Sequence, residues 1–426
     1  YSGIPEEEVT RRTIMRYYKR KNPMLIREMI RNVYKECKGV PKSNGLTKEQ
    51  RLSLQMDEFM NRRYEFRYNT QIGEVEYRER FSFQFYFHSI DKRAQNSIML
   101  DAQSEGIGVW DRDIDRYLHS NRVPIYNPLE EFLFHLPHWD GKDRIHALAN
   151  RVPCKNPHWE LLFHRWFLNM VSHWRGVDKM HANNTSPILV GRQGTHKSTC
   201  CREMIPPALR AYYTDSIDFS HKRDAELYLN RFALINIDEF DQITLPQQGF
   251  LKHILQKPVV NLRKPHGRSV LELQRYASFI GTSNQKDLLT DPSGSRRFIC
   301  IEVTGNIDTT QPIDYEQLYA QAMHEISHGE RYWFNSEDEQ IMTENNREFE
   351  QTPAMLQLFY QYFRAPQAGE EGEFFTPVEI LNYLKKKSGI SLSDNKVYHF
   401  GRMLQKCGIS SKHTYKGTVY QVVKIL

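Results

Sequence analysis

Apolar residues recur at helical spacing in the first part of the chain. Leu25, Met29, Ile30 and Val33 fall on one stripe, and Thr47 stands as a cap before Leu52, Leu54, Met56 and Phe59. Residues 1–65 are therefore predicted to be mainly helical. From 66 to 87 the pattern turns extended and aromatic-rich, with Gly73 as a turn between two strands. Helical periodicity returns from Gln95 to Asn121. Asn127-Pro128 and Pro137 punctuate a predicted loop that carries His138-Trp-Asp-Gly-Lys-Asp-Arg144, and a helix from Trp159 to about Trp174 follows.

Short, fully apolar runs then alternate with helical stretches, the pattern of an α/β domain. Ile188–Val190, Ala233–Ile237, Tyr276–Gly281 and Phe298–Val303 read as buried strands, and Tyr315–His328 and Glu337–Phe349 as helices. Ala365–Gly372 is small and acidic and reads as a linker. After it the pattern is helix, helix, hairpin. Pro377 starts a helix with Ile380, Leu381 and Leu384 inward, and Ser393 or Asp394 caps a second with Val397, Phe400, Met403 and Leu404 inward. Ile409–His413 pairs with Val419–Ile425. The chain is read as multidomain. A helix-rich N-terminal region with a β-hairpin (1–109) is followed by a helical segment (110–180) and a central α/β P-loop domain (181–330). A helical extension (331–366) and a basic, winged-helix-like α+β module (374–426) complete it.

Composition narrows the class. With 39% hydrophobic and 26% charged residues among 426, the chain has the make-up of a globular protein rather than a disordered one. No apolar run approaches the ~18–20 residues of a membrane span. The six cysteines form no CxxC pair, which argues against a zinc or redox motif and points to a reducing, cytoplasmic setting. The net charge of +6 is unevenly spread: Phe374–Leu426 carries nine Lys/Arg against two Asp/Glu, and Tyr1–Arg80 eighteen against twelve. Cations gathered at the two ends suit a polyanion, nucleic acid first, or else form a solvated surface.

The candidate chemistry sits in the α/β part. Gly191-Arg-Gln-Gly194-Thr195-His196-Lys197-Ser198 follows a strand and opens a helix, the setting in which such a loop cradles phosphates through inward backbone N–H groups. Lys197 would reach the β- and γ-phosphates of ATP, Ser198 would hold Mg²⁺, and Gly191, Gly194, Thr195, His196 and Thr199 complete the cradle. The usual glycine before the lysine is His196. Leu234-Ile-Asn-Ile-Asp238-Glu239 is an apolar strand ending in two carboxylates, Asp238 for the metal and Glu239 as general base toward water; an exposed acidic loop is the plainer alternative. Asn284 ends another strand and would orient that water, or is a simple turn residue. Arg296 and Arg297 offer a guanidinium for a neighbouring subunit's γ-phosphate, or a surface ion pair. Asp111, Asp113 and Asp115 lack flanking apolar strands and suit a solvent-facing helix. No HExxH pattern appears.

This order of motifs, together with Asn127-Pro-Leu and Leu136-Pro-His-Trp-Asp-Gly, resembles the virulence-associated protein E family, whose ATPase core resembles superfamily 3 helicases of phages and mobile elements. The resemblance covers roughly Trp110 to His328. It implies an AAA+-like core, a homo-oligomeric ring (often a hexamer) with ATP between subunits, and a DNA-contacting hairpin. Here that hairpin is Val259 to Val270, with Arg263, Lys264, His266 and Arg268 at its tip; an ordinary solvated hairpin is the alternative. In the C-terminal module Lys396 and Arg402 would lie on a recognition helix and Lys412 and Lys416 on a wing, unless the module docks a protein. The expected function is an ATP-dependent DNA helicase or translocase on single- or double-stranded DNA, serving replication of a phage or mobile element. The alternative is a non-unwinding ATPase switch that binds nucleic acid or a partner.

Overall fold

Thr47 accepts a hydrogen bond from the Gln50 backbone amide, and the Gln50 side chain accepts one from the Thr47 N–H. This closed capping box starts the first helix, α1 (Lys48–Arg63). It is seen in a computed structural model that describes residues 46–83, 85–176, 181–262, 271–289, 292–351, 354–367, 369–389, 397–415 and 417–425. The helix expected around Leu25–Val33 lies outside the described residues. The chain forms two compact units, Tyr1–Tyr126 and Asn127–Leu426. Among the described residues no helix is long and apolar enough to cross a membrane.

In the first unit α1 leads into β1 (Tyr64–Asn69) and β2 (Glu74–Glu79), an antiparallel hairpin turning at 70–73 in the register Asn69↔Glu74. The Asn69 side-chain oxygen accepts from the Gln71 N–H at 3.0 Å and shapes the turn. Next come β3 (His88–Ser89), α2 (Lys92–Ser104), α3 (Asp111–Leu118) and β4 (Ile125–Tyr126), giving a sheet in the order β3-β2-β1-β4. The core holds Phe59, Met60, Phe66, Ile98, Ala102 and Ile114. Leu54, expected inward, is exposed. It lies two positions from both Leu52 and Met56, and two residues are more than half a turn of helix. The helical stretch expected from Gln95 to Asn121 is two helices, separated where Gly106 takes a positive φ.

The second unit opens on α4 (Pro128–Phe134), where the sequence suggested a loop. Asn127 caps it, its side-chain oxygen accepting from Leu129 N–H and Glu130 N–H. Pro128 takes the first helical position, where a missing N–H is harmless. Then follow α5 (Arg144–Ala149), α6 (Trp159–Trp174), β5 (Ser186–Val190), α7 (Lys197–Glu203), β6 (Tyr213–Thr214), α8 (Lys222–Arg231), β7 (Leu234–Ile237), α9 (Leu245–Leu255), the two-stranded ribbon β8 (Val259–Leu262) and β9 (Leu271–Gln274), β10 (Ser278–Ser283), β11 (Phe298–Glu302), α10 (Tyr315–Ser327) and α11 (Ser336–Asn346). α8 and α9 fall in stretches where the apolar pattern predicts no element. Five strands pair in the order β11-β5-β10-β7-β6, all parallel. Parallel strands need helical crossovers, which cover both faces and explain the continuous apolar runs. Along α6 the buried indoles of Trp166 and Trp174 donate to the carbonyls of Phe279 in β10 (3.1 Å) and of Ala233 just before β7 (3.3 Å), fixing that helix on the sheet.

Arg275, fully buried just before β10, has carbonyls for partners. Its Nε donates to Ala277 O, Nη1 to Ile254 O, Leu255 O and Lys257 O, and Nη2 to Asn183 O, at 2.7 to 3.2 Å. Burial lowers its pKa to about 9. The guanidinium caps the C-terminal end of α9 and joins both ends of the β8–β9 ribbon to the sheet.

The last part of the unit is an α+β module: α12 (Ala354–Tyr362), β12 (Phe363–Arg364), β13 (Glu373–Phe375), α13 (Pro377–Ser388), α14 (Val397–Lys406), β14 (Ser411–Thr414) and β15 (Gly417–Lys424). β15 pairs antiparallel with β12, β13 and β14. Thr376 and Glu379 close a capping box before α13, with Pro377 at the first helical position. Phe359 and Phe363 share a core with Ile380, Leu384, Phe400 and Leu404, so this module's packing begins upstream of the Ala365–Gly372 linker. Ser393 and Asp394, the expected caps of α14, lie outside the described residues.

Arg275→Met would leave five carbonyl contacts unmatched. It is expected to lower the unfolding free energy by about 3–5 kcal/mol, read as a shifted denaturant midpoint. A loss below about 1 kcal/mol would contradict the role given to the guanidinium.

Candidate functional site

β5, β10 and β7 are parallel neighbours, so their C-terminal ends lie along one edge of the sheet. β10 is the middle strand: Gly281 pairs with Ile188 of β5 on one side and Ile237 of β7 on the other. The loop after β5, the polar end of β10 and the carboxylates after β7 therefore meet. They bound a cavity of about 310 Å³ whose lining includes Gly194, Lys197, Ser198, Asp238, Glu239 and Asn284.

The loop after β5 is shaped by close packing and by left-handed backbone. A β-carbon on Gly191 would stand 3.0 Å from the Val303 carbonyl oxygen, and Gly194 has φ +83°. His196 has φ 66° and ψ 22°, the left-handed region that costs a side-chain-bearing residue on the order of 1–3 kcal/mol. The backbone thus keeps a glycine-like conformation at the position where the common pattern has glycine. Among the described residues one other non-glycine has positive φ: Glu239, at 53°. Both strained residues line the same cavity.

The left-handed turn at Glu239 sends three neighbours in different directions. Asp238 accepts a hydrogen bond from the Ser198 hydroxyl at 3.0 Å and another from the Thr282 hydroxyl. Glu239 is exposed on the cavity. Phe240 plunges into the core, edge-on to Phe298 with ring centroids 5.1 Å apart. The buried ammonium of Lys197 donates to Gly191 O and Arg192 O, both at 2.7 Å, and to the Asn284 side-chain oxygen at 3.1 Å. Burial lowers the pKa of Lys197, while the negative charges of Asp238 and Asp241 oppose that shift.

Of the residues named from sequence, Lys197, Ser198, Asp238, Glu239 and Asn284 come together, with His196, Gly194 and Thr199 on the same lining. Thr195 packs behind it, its hydroxyl donating to Arg192 O and its carbonyl accepting from Ile307 N–H. Arg296 and Arg297 do not line the cavity; Arg296 pairs with Glu339 of α11 at 2.8 Å. Arg263, Lys264, His266, Arg268, Lys396 and Lys416 lie outside the described residues. Lys412 lies 3.5 Å from the centroid of the Phe374 ring, and Arg402 sits on α14. Thr282 was missed, although three consecutive polar residues ending an apolar strand were its signal.

Among the described residues no group of three His, Cys, Asp or Glu side chains could hold a metal. A hydroxyl and a carboxylate 3.0 Å apart beside a cavity of about 310 Å³ instead fit Mg²⁺, which takes most of its ligands from water and phosphate. A larger cleft of about 560 Å³ lies in the first unit, where Lys48, Arg112 and Arg116 are met by Glu49 and Asp113. It contains neither of the strained residues.

A family model described as the virulence-associated protein E-like domain matches residues 133–351, just over half of the chain. A second, a domain of unknown function from B. Theta (DUF3874), matches residues 352–422. No curated protein matches. Among solved structures, an apo structure of the NrS-1 C terminal region is 12% identical, covering 89% of this chain and 100% of that one at a TM-score of 0.43. An A-form apo structure of that region is 10% identical, covering 88% and 99% at 0.44.

Glycine at position 196 removes the penalty of a β-carbon in the left-handed region. His196→Gly is expected to raise the unfolding free energy by about 0.5–1 kcal/mol, measured by denaturant unfolding. A destabilised variant would show that the imidazole makes contacts outweighing the strain.

Proposed function

The chain belongs to the virulence-associated protein E-like domain family, and on that footing we propose that it is a Mg²⁺-dependent ATPase that moves along or unwinds DNA in the cytoplasm, in replication of a phage or mobile element. The observation that carries this reading is the convergence of Lys197, Ser198, Asp238 and Glu239 on one cavity at the edge of a parallel sheet. The loop that starts at Gly191 is read as a P-loop. Its backbone N–H groups surround the phosphates of ATP, and Lys197 exchanges the carbonyls of Gly191 and Arg192 for β- and γ-phosphate oxygens. Ser198 and Asp238 would hold Mg²⁺, which would supply positive charge against the charge that develops on the phosphates.

Glu239, exposed on the cavity, takes a proton from the attacking water. Asn284, already within hydrogen-bond distance of Lys197, orients that water against the γ-phosphate. Arg296 or Arg297 reaches the γ-phosphate of the next subunit in a homo-oligomeric ring; Arg296 does so only by leaving Glu339. The β8–β9 ribbon, anchored at its base by Arg275, carries the DNA contacts of Arg263, Lys264, His266 and Arg268. The C-terminal module, read as a winged helix, adds Lys396, Arg402, Lys412 and Lys416 on the polyanion.

The test is Mg²⁺-dependent ATP hydrolysis by the full chain, with strand displacement on a forked duplex measured in parallel. Wild type is expected to turn over and Glu239→Gln to lose about 100-fold or more while still binding ATP. Equal turnover in the two proteins would overturn the assignment of the base. Hydrolysis without displacement would favour an ATPase switch over a helicase.

A further inference from the structure

Asp241 has no part in the chemistry outlined above, yet it joins two of its strands. It lies in the short 3₁₀ turn Phe240–Gln242, between the fully buried Phe240 and an exposed Gln242. One of its carboxylate oxygens accepts from the Ser283 hydroxyl at 2.9 Å and from the Asn284 backbone N–H at 3.3 Å. Ser283 is buried at the end of β10, and Asn284 is the first residue beyond it. The Asn284 side-chain oxygen in turn receives the Lys197 ammonium. A continuous path of hydrogen bonds thus runs from the turn that carries Glu239, through Asp241 and Asn284, to the lysine of the phosphate loop.

The geometry points to Asp241 as a positioning residue that holds the Asn284 amide at the far end of the cavity and so sets how the γ-phosphate is told from its absence. This rests on the ATPase reading given above. Asn284 follows the last residue of β10, where the sheet no longer fixes its backbone, so the Asp241 carboxylate supplies the restraint on its N–H that the ladder does not. The same oxygen also faces the Ser283 hydroxyl, but Ser283 stays paired with Val190 in the ladder and its hydroxyl also reaches the Gln285 carbonyl at 2.7 Å, so loss of the carboxylate frees the Asn284 N–H above all. The restraint also ties Asn284 to the Asp238–Glu239 turn, because Phe240 locks that turn into the core two residues from the metal-side carboxylate. A displacement of Asn284 by about 1 Å is enough to cost up to about 100-fold in a step that depends on alignment. Lys197 would keep its place in the loop, where it can still exchange the carbonyls of Gly191 and Arg192 for phosphate oxygens, so contacts with the inner phosphates would remain.

The experiment compares Asp241→Ala, Asp241→Asn and Ser283→Ala with wild type in the full chain. It measures affinities for ATP·Mg²⁺ and ADP·Mg²⁺ with fluorescent nucleotides, thermal unfolding, and ATP turnover. Asp241→Ala is expected to keep ADP affinity within about threefold of wild type. Its preference for ATP should fall by about 5-fold or more, and its kcat by about 10–100-fold. Asp241→Asn, whose amide oxygen still accepts both hydrogen bonds, is expected to restore most of both. Ser283→Ala, which leaves the Asn284 N–H contact in place, should fall between wild type and Asp241→Ala.

Wild-type ATP preference and turnover in Asp241→Ala would overturn the proposal. So would an equal loss of ADP and ATP affinity in every variant, which marks a purely structural role. If Asp241→Ala unfolds, Ser283→Ala and Asp241→Asn decide by the same ratio. Wild type that binds both nucleotides but hydrolyses nothing would sink the ATPase reading, while the affinity ratio would still judge Asp241.

Discussion

Parallel pairing of β5, β10 and β7 is the constraint from which the site follows. Three parallel neighbours present their C-terminal ends at one edge, and with β10 in the middle its polar end falls between the phosphate-type loop and the carboxylate turn. Had β5 and β7 been adjacent, Thr282 and Asn284 would not stand between Ser198, Lys197 and Asp238. Gly281 marks how tight this packing is: a β-carbon there would come within 2.8 Å of the Ile188 side chain and 3.1 Å of the Ile237 carbonyl oxygen. The register is therefore fixed on both sides of the middle strand, and a one-residue slip would turn every polar end group to the wrong face.

On this edge the chain accepts local strain twice. His196 and Glu239 both hold left-handed backbone: His196 stands directly before α7, and Glu239 two positions beyond the end of β7. At Glu239 the result is a division of roles among consecutive residues: Asp238 to the loop serine, Glu239 to the cavity, Phe240 to the core and Asp241 back to β10. Well-packed surroundings over-determine such conformations, and Phe240 against Phe298 is that packing here. Lys197 is buried and its ammonium is satisfied by the carbonyls of its own loop, so the proposed contact with phosphate would exchange partners rather than expose an unpaired cation.

What the sequence made legible was local. Lys197 and Ser198 follow an apolar strand, and Asp238 and Glu239 end another, so neighbours within a few positions were enough to mark them. Strand cores, the span of α6 and the Thr47 cap were legible for the same reason: period, length and cap residues are near-neighbour properties. Thr282, Asp241 and Arg275 were not, because their partners lie tens of residues away and only the register and the helix crossovers bring them together. α4 was hidden by Pro128, which stops a helix internally but starts one at its first position. Arg296 illustrates another limit. A guanidinium ahead of a strand reads equally as a contact to a neighbour and as an ion pair, and within one chain it is paired with Glu339.

The central claim is that this edge is built to hold a nucleoside triphosphate with Mg²⁺, and equilibrium binding of ATP to the full chain tests it most directly. Titration calorimetry with and without Mg²⁺, on wild type and Lys197→Met, should show one site per chain that needs the metal. The substitution should weaken it by about 10-fold or more, since a charge-assisted contact to phosphate is lost. Absence of binding in wild type, or binding that Lys197→Met leaves unchanged, would contradict the account.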